Sequence, residues 1–279
     1  MTLRLGWFSS GREDADSNLF RSVMRSSEEG MLDASVSFVF CDYDDGEGPA
    51  ELDFASRKRF LNLVRSYDVP IITLSWQRTK ESWSHDPTQD WRTCFGKKMR
   101  KMIYERAFEL GLVVGLSTPM DADSCTRFDL VNLYPSLPTG PRGDRGGIVC
   151  QLIRRRADRH GAMVRLCRQT GLEGAPVTYC SFPLSSSELR PLWTDIEVMA
   201  RGRKPELIGD EELITTPLFK HICFEEERRE VPLLTYTIKL FANGDLDIVN
   251  GRLLSEGMAV TEAPDLSLNV DDWLQQRQP

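Results

Sequence analysis

The segment from Asn132 to Pro138 carries residue types suited to acyl chemistry. It reads Asn-Leu-Tyr-Pro-Ser-Leu-Pro, and the apolar run before it predicts a central strand that ends at Tyr134. An asparagine side chain has two N–H donors and one acceptor, so at a strand end it can hold a carbonyl oxygen whose negative charge grows during acyl transfer. The alternative interpretation is that Asn132 only caps the turn into a proline-rich loop.

A polar loop after the first predicted strand is a second candidate. Ser9-Ser-Gly11 follows this strand, and Ser17-Asn18 then open a predicted amphipathic helix. Backbone N–H groups at a helix start suit an anion such as phosphate. Ordinary helix capping by Ser17 and Asn18 is the alternative. Three acidic residues of the same loop would repel phosphate unless they point away, namely Glu13, Asp14 and Asp16.

Two further segments and one arginine complete the set of candidates. Leu112 to Met120 is an apolar run that, on its own, indicates a core strand. Gly171 to Cys180 holds two glycines ahead of another apolar run. Arg142, in the Pro/Gly-rich loop after Pro138, is placed to meet an anionic ligand or to remain solvated.

In this order, the segments resemble the signatures of the folate-dependent formyltransferases of the glycinamide ribonucleotide formyltransferase type. Asn132 to Pro138 resembles the family's N-x-H-P-S/A-L-x-P, and the first loop resembles its S-G-x-G-S-N turn. Leu116 and Met120 match the strand that ends L-A-G-x-M, and Gly174 matches the D-x-G-x-x-V segment. The resemblance covers roughly residues 3 to 185.

The resemblance implies transfer of a formyl group from formyl-tetrahydrofolate, as co-substrate, to the amine of a small metabolite, including a phosphorylated one, without a metal. The family's roles then fall on matching positions: Asn132 and Tyr134 as catalytic residues, Gly11, Ser17, Asn18 and Arg142 at the substrate phosphate, and Leu116, Met120 and Gly174 at the folate.

The sequence departs from the family pattern at two positions that the family uses for catalysis. The family's histidine position is Tyr134, a hydrogen-bond donor but a poor base, and its aspartate position is Leu172, which cannot titrate. General acid–base help is typically worth about a hundred to ten thousand-fold. Glu173 replaces the aspartate only if its loop is twisted, and rescue by His85 has no support in the sequence.

Three hypotheses remain open for the chain. The first is an active formyltransferase. The second is a catalytically degenerate formyltransferase-fold pseudoenzyme that binds a ligand or an active paralogue. The third is a binding module for an unrelated anionic ligand, which would use the first loop and Arg142 but not Asn132.

The elements that must position these residues alternate between strand and helix. This alternation predicts an α/β fold with a mostly parallel, Rossmann-type sheet flanked by helices, and ligands in such sheets bind beyond the strands' carboxyl ends. We expect a formyltransferase-like domain at 1–205 and a C-terminal α/β extension or small subdomain at 206–279.

Several element boundaries are also predicted. Ser75 to Gly96 has no clear period and is interpreted as an irregular loop, and Lys97 to Leu110 as a helix closed by Gly111. A helix after the Pro/Gly-rich loop is expected to run to about Arg159, with His160 as a capping or surface residue. Separate helices are expected at Glu211 to Glu227 and at Leu233 to Phe241.

Composition limits the partners. The formal net charge of −7 gives no general attraction to nucleic acid or anionic lipid. Nowhere does the sequence contain about eighteen consecutive apolar residues without a charge, the minimum expected of a membrane span. The seven cysteines are scattered without a C-x-x-C pair, which favours a reducing cytoplasm and no zinc site. A homodimer or a heteromer with a paralogue stays open.

Overall fold

The computed structural model describes residues 2–44, 51–83, 90–167, 174–200, 202 and 208–277. In chain order, the strands are β1 (Leu3–Phe8), β2 (Ala34–Cys41), β3 (Ile71–Thr73), β4 (Leu110–Val113), β5 (Leu130–Tyr134), β6 (Arg159–Leu166), β7 (Pro176–Pro183), β8 (Asp247–Val249), β9 (Arg252–Ser255) and β10 (Met258–Ala259). The helices are α1 (Asp14–Glu28), α2 (Glu51–Ser66), α3 (Trp76–Glu81), α4 (Trp91–Ile103), α5 (Ala122–Arg127), α6 (Arg145–Arg155), α7 (Arg190–Ala200), α8 (Asp210–Leu213), α9 (Pro217–Asn243) and α10 (Ser267–Gln276).

A seven-stranded sheet in the order β3-β2-β1-β4-β5-β6-β7 organises the chain. The strands from β3 to β5 pair in parallel, so their carboxyl ends lie along one edge. A smaller antiparallel sheet has the order β10-β9-β8. The predicted α/β fold with a mostly parallel, helix-flanked sheet is therefore confirmed.

The described chain divides into two compact units. The first comprises Met1–Leu133, Arg165–Val177 and Thr237–Glu262. Its core includes edge-to-face aromatic pairs such as Phe8 and Phe38, whose ring centroids are 5.6 Å apart. Strands with both faces covered read as continuous apolar runs, which is why β1, β2 and β4 were visible in the sequence.

The second unit comprises Tyr134–Val164, Thr178–Tyr236 and Ala263–Pro279. Its core joins α6, β7, α7 and α9 through fully buried side chains that include Ile153, Leu184, Leu218 and Ile222. The predicted domain boundary at 205/206 falls on residues outside the described ones, so it stays a prediction.

The expected irregular loop at Ser75 to Gly96 is wrong, because α3 and the start of α4 occupy much of it. The Ser75 hydroxyl accepts from the Arg78 N–H, and the Asp90 carboxylate accepts from the Arg92 N–H, so each residue caps a helix start. Residues 84–89, which include His85, lie outside the described part of the chain.

Two predicted helix ends also move. α4 ends at Ile103, and Gly111 lies inside β4, where a β-carbon would strike the Leu130 side chain. α6 ends at Arg155, with Arg156 in the left-handed region at φ 49°. His160 consequently lies in β6 and is buried, which corrects its reading as a capping or surface residue.

The C-terminal region contains one long helix where two were predicted. α9 runs through Pro232, a residue type that usually ends a helix. Leu218, Ile222, Leu233 and Leu234 are all buried, and this burial favours the continuous helix over a break. β9 and α10 were not anticipated.

A buried acidic cluster lies in the second unit. Arg145 contacts Glu230 at 2.6 Å through Nη2 and Glu226 at 3.2 Å through Nε. Burial raises the pKa of Glu226 to about 7 and also raises the pKa of Glu230. His160 Nε2 lies 3.9 Å from Glu226, and burial lowers the pKa of this imidazole to about 4. The histidine is therefore neutral near pH 7 and does not balance the two acids.

We predict that replacing Glu226 by glutamine stabilises the protein progressively as pH rises. The unfolded carboxyl releases its proton near pH 4.5 and the folded one near pH 7, so wild-type stability falls between these values. The lowered pKa of His160 makes stability rise with pH instead. Both proteins contain His160, so this contribution cancels in the difference between variant and wild type. The free-energy difference from urea unfolding should grow by roughly 2 kcal/mol over this interval. A free-energy difference that does not change with pH would contradict the prediction.

Candidate functional site

A hydrogen-bond network joins the carboxyl ends of β1, β2 and β4 in the first unit. The Ser10 hydroxyl donates to Asp42 Oδ1 at 2.6 Å and accepts from the Ser117 N–H at 2.6 Å. Ser117 Oγ lies 2.8 Å from Ser10 Oγ and must be the donor, because the single Ser10 proton is already used. The Thr118 N–H donates to Asp42 Oδ2 at 3.0 Å. This Ser10–Asp42 network ties together three loops of the ligand-binding edge.

The Asp42 carboxylate is fully buried within the network. Burial raises its pKa, and the hydrogen bonds from Ser10 and Thr118 oppose that rise. Nearby, Arg57 is also buried, and its Nε donates to the Ser10 carbonyl at 3.1 Å. Its guanidinium lies 3.8 Å from the Tyr43 ring centroid. Both charged groups are thus committed to fixing the loop after β1.

The first loop has a different form from the one expected. α1 begins at Asp14, three residues before the predicted opening at Ser17-Asn18, so that prediction is wrong. Ser17 is buried in the second turn, and Asn18 is exposed and accepts from Arg21 at 3.1 Å. Gly11 has φ 60°, and a β-carbon there would meet Phe60 at 2.6 Å.

Acidic side chains occupy the start of α1. Glu13 is the N-cap, and Asp14 and Asp16 stand in the first turn. Asp14 pairs with Arg59 at 2.7 Å, and Asp16 Oδ2 accepts from the Glu13 N–H at 3.4 Å. These carboxylates use the favourable field of the helix end. Phosphate binding by Gly11, Ser17 and Asn18 stays a prediction that must overcome them.

Asn132 is the middle residue of β5, partly buried, in the first unit, and it lies opposite Val113, the last residue of β4. Its Nδ2 donates to the Val113 carbonyl of neighbouring β4 at 3.1 Å. A side-chain amide has a second N–H and a carbonyl oxygen. Neither forms a hydrogen bond with the residues that the structure describes. The bond to Val113 therefore fixes the amide and leaves one donor for a ligand.

The predicted folate residues have clear packing roles. Met120 is buried and Leu116 partly buried in the aromatic cluster around Phe8 and Phe40. Gly174 lies against the Leu166 carbonyl, where a β-carbon would overlap backbone atoms. Folate contact by these three residues stays a prediction. Leu172 and Glu173 lie outside the described residues.

Tyr134 and Arg142 belong to the second unit. The Tyr134 hydroxyl donates to the Gly143 carbonyl at 3.0 Å and accepts from the Gly143 N–H at 2.9 Å. Arg142 is exposed, its Nη2 donates to the Pro138 carbonyl at 3.3 Å, and its guanidinium lies 5.8 Å from the Tyr134 ring. The tyrosine thus holds the loop after β5, with both its donor and an acceptor position in use.

Sequence reasoning missed the Ser10–Asp42 network. Asp42 comes directly after the apolar run of β2, and an acidic residue at a strand's carboxyl end was an available signal. Ser117 and Thr118 lie in the segment from Leu112 to Met120, which the sequence indicated only as a core strand. Their value lies in the backbone and hydroxyl groups that they offer across the sheet edge.

Solved structures of formyltransferases resemble this chain. Phosphoribosylglycinamide formyltransferase from Coxiella burnetii superposes with a TM-score of 0.65 at 14% identity, over 95% of this chain and 100% of that one. Glycinamide ribonucleotide transformylase 1 from Geobacillus kaustophilus gives 0.58 at 15% identity, over 87% and 100%.

The fold is the formyltransferase fold. A formyltetrahydrofolate deformylase from Pseudomonas putida KT2440 is also similar, with a TM-score of 0.54 at 14% identity, over 91% of this chain and 70% of that one. No protein-family model matches the chain, and no curated protein matches its sequence. At these identities the formyltransferase likeness is one of fold.

The described residues contain neither a membrane-spanning helix nor a metal-binding cluster. No helix there has the length and apolar character needed to cross a membrane. In the same part of the chain, His, Cys, Asp and Glu side chains form no group of three or more that could hold a metal ion.

We predict that Ser10→Ala destabilises the protein by about 2 kcal/mol, since it leaves the buried Asp42 carboxylate and the Ser117 N–H without their partner. Ser9→Ala, which removes only an acceptor for the Gly11 N–H, is the matched control and should cost less. Urea unfolding at neutral pH measures both. Equal losses in the two variants would show that the network does not fix this edge.

Proposed function

We propose that the chain is a formyltransferase that moves a one-carbon formyl group from formyl-tetrahydrofolate to the amine of a small metabolite. The observation that carries the proposal is the Asn132 amide on β5, anchored on Val113 at the carboxyl end of β4, with a second N–H that forms no hydrogen bond to the described residues. The formyltransferase fold supports it, because ligands of open α/β sheets bind at this edge.

The proposed reaction places Asn132 at the formyl oxygen. The acceptor nitrogen attacks the formyl carbon, the C–N bond forms, and the carbonyl electron pair moves onto oxygen. The second Asn132 N–H donates to this developing oxyanion, which a preorganised donor stabilises more than it stabilises the starting carbonyl. The tetrahedral intermediate then collapses: the oxygen regains its double bond to carbon, the C–N bond to the folate breaks, and the folate nitrogen takes a proton from solvent.

Proton removal from the acceptor amine is assigned to solvent. The Asp42 carboxylate is held by Ser10 and Thr118, and the Tyr134 hydroxyl is held by Gly143. Because neither of these described groups is available as a base, the proposed reaction forgoes about a hundred to ten thousand-fold in rate. We therefore assign Tyr134 a positioning role and expect slow turnover.

The remaining site residues keep their proposed roles. Leu116, Met120 and Gly174 border the place for the folate, and Gly11, Ser17, Asn18 and Arg142 the place for a phosphate on the acceptor. The acidic start of α1 favours an acceptor with little negative charge over a phosphorylated one. A cytoplasmic location and a homodimeric or heteromeric state belong to the same proposal.

One observation favours a second candidate, a pseudoenzyme that binds its ligand or an active paralogue without turnover. The Tyr134 hydroxyl stands where the family has its histidine, and it is engaged by Gly143 both as donor and as acceptor. A hydroxyl that is held by the loop in this way is not available for proton transfer.

Calorimetry and a formyl-transfer assay distinguish the candidates. Formyl-tetrahydrofolate is supplied alone, to measure release of formate to water, and with two test amines, glycinamide, which has no phosphate, and glycinamide ribonucleotide, which has one. Under the proposal, Asn132→Ala and Asn132→Asp each lower kcat by about a hundred to a thousand-fold, because both remove the donor. Exposed Asn62→Ala is the control and retains activity.

Each outcome decides between the readings. Folate binding with slow, Asn132-dependent turnover supports the transferase. Folate binding with no turnover in wild type supports the pseudoenzyme. Turnover that survives Asn132→Ala overturns the assigned role, and absence of both binding and turnover overturns both candidates.

A further inference from the structure

A groove lies in the first unit, at the edge of the sheet opposite the candidate site. It has a volume of about 1290 Å³ and follows α4 to the segment just before β4, with α5 and the residues before β5 along its other side. Because β4 and β5 are parallel, this is the edge of their amino ends. The residues of the proposed formyl-transfer site do not line it.

The groove is basic on an acidic protein. Five basic residues line it against two acidic ones, Glu105 and Asp123. One of the five, Arg100, is neutralised locally, at 2.6 Å from Asp121 and 3.3 Å from Asp123. The other four form no ion pair with the residues that the structure describes, namely Lys97, Lys101, Arg106 and Arg127.

The arrangement of these cations indicates an extended anion. Lys97 and Lys101 stand one turn apart on the same face of α4, and Arg106 lies beyond its end. At about 1.5 Å per residue, the helix from Lys97 to Ile103 alone spans about 9 Å. A single compact phosphate meets only part of such a row, whereas a chain of several carboxylates can follow it.

Apolar side chains are exposed along the same groove. Tyr104 is 86% exposed and Met102 is 45% exposed, although both are large. Tyrosine, methionine and arginine are the residue types enriched in protein–protein interfaces. The combination suits a peptide that alternates acidic residues with apolar ones.

We propose that this groove, defined by the α4 face from Lys97 to Tyr104 with Arg106 and Arg127, binds an acidic segment of a protein partner. Charge complementarity selects the acidic partner, and Tyr104 and Met102 offer contacts for its apolar side chains. The net charge of −7 disfavours a long polyanion such as nucleic acid, which would extend beyond the groove over an acidic protein, whereas a short acidic segment meets only the groove. The site is independent of the proposed formyl transfer.

The test uses the full chain and a fluorescein-labelled peptide of the repeating sequence Glu-Glu-Leu-Glu-Glu-Phe. The control is a labelled peptide in which lysine replaces every glutamate. Fluorescence anisotropy at low salt should show that the protein binds the acidic peptide and does not bind the lysine peptide. The double variant Lys97→Gln/Lys101→Gln should weaken it by about tenfold. Tyr104→Ala should weaken it without any change in charge.

A matched double variant controls for total charge. Lys58→Gln/Lys239→Gln removes two exposed lysines from other helices and should leave binding unchanged. Equal weakening by both double variants, or no peptide binding at all, would overturn the proposal. So would tighter, Lys97-dependent binding of a labelled single-stranded oligonucleotide, because the occupant would then be nucleic acid. Circular dichroism confirms that each variant is folded.

Discussion

The buried Asp42 carboxylate is the constraint around which the ligand-binding edge is arranged. A carboxylate withdrawn from water is costly unless hydrogen bonds replace its hydration. Here the Ser10 hydroxyl and the Thr118 N–H supply them, and each comes from a loop after a different strand. The loops after β1, β2 and β4 are consequently held together before any ligand arrives, and Asn132 on β5 stands beside the same β4 strand.

The candidate residues differ in whether their polar groups are already used by the fold. Two residues that the sequence resemblance assigned to the site serve structure in this chain: the Tyr134 hydroxyl closes the loop after β5, and Gly174 allows close backbone packing against Leu166. Asn132 differs, because its anchoring bond to Val113 uses only one of its two donors. The proposed function therefore depends on charge stabilisation by Asn132 and not on proton transfer by Asp42 or Tyr134.

Much of the fold could be predicted from the sequence, because buried parallel strands appear as apolar runs and the helices between them as periodic ones. The errors have local physical causes. The tryptophans at 76 and 91 obscured α3 and the start of α4, whose caps, Ser75 and Asp90, were readable. Asn250-Gly251, both with positive φ, form the tight β8–β9 turn, another signal that was available.

The site was less predictable than the fold. The place of Asn132 on β5 follows from the order of elements, but its bond to Val113 at the end of β4 depends on which strand lies alongside. The buried place of His160 and the Ser10–Asp42 network depend likewise on contacts between residues far apart in sequence. Patterns of residue type and spacing predict elements, whereas such contacts require the packed sheet.

The central claim is that the Asn132 amide donates to the formyl oxygen. Isotope-edited infrared spectroscopy of a bound, stable formyl-folate analogue with a ¹³C-labelled formyl carbon observes that bond directly. The account predicts that the formyl carbonyl stretch moves to lower frequency on binding to wild type and that this shift is lost with Asn132→Ala although the analogue still binds. An identical carbonyl frequency in the two complexes would contradict it.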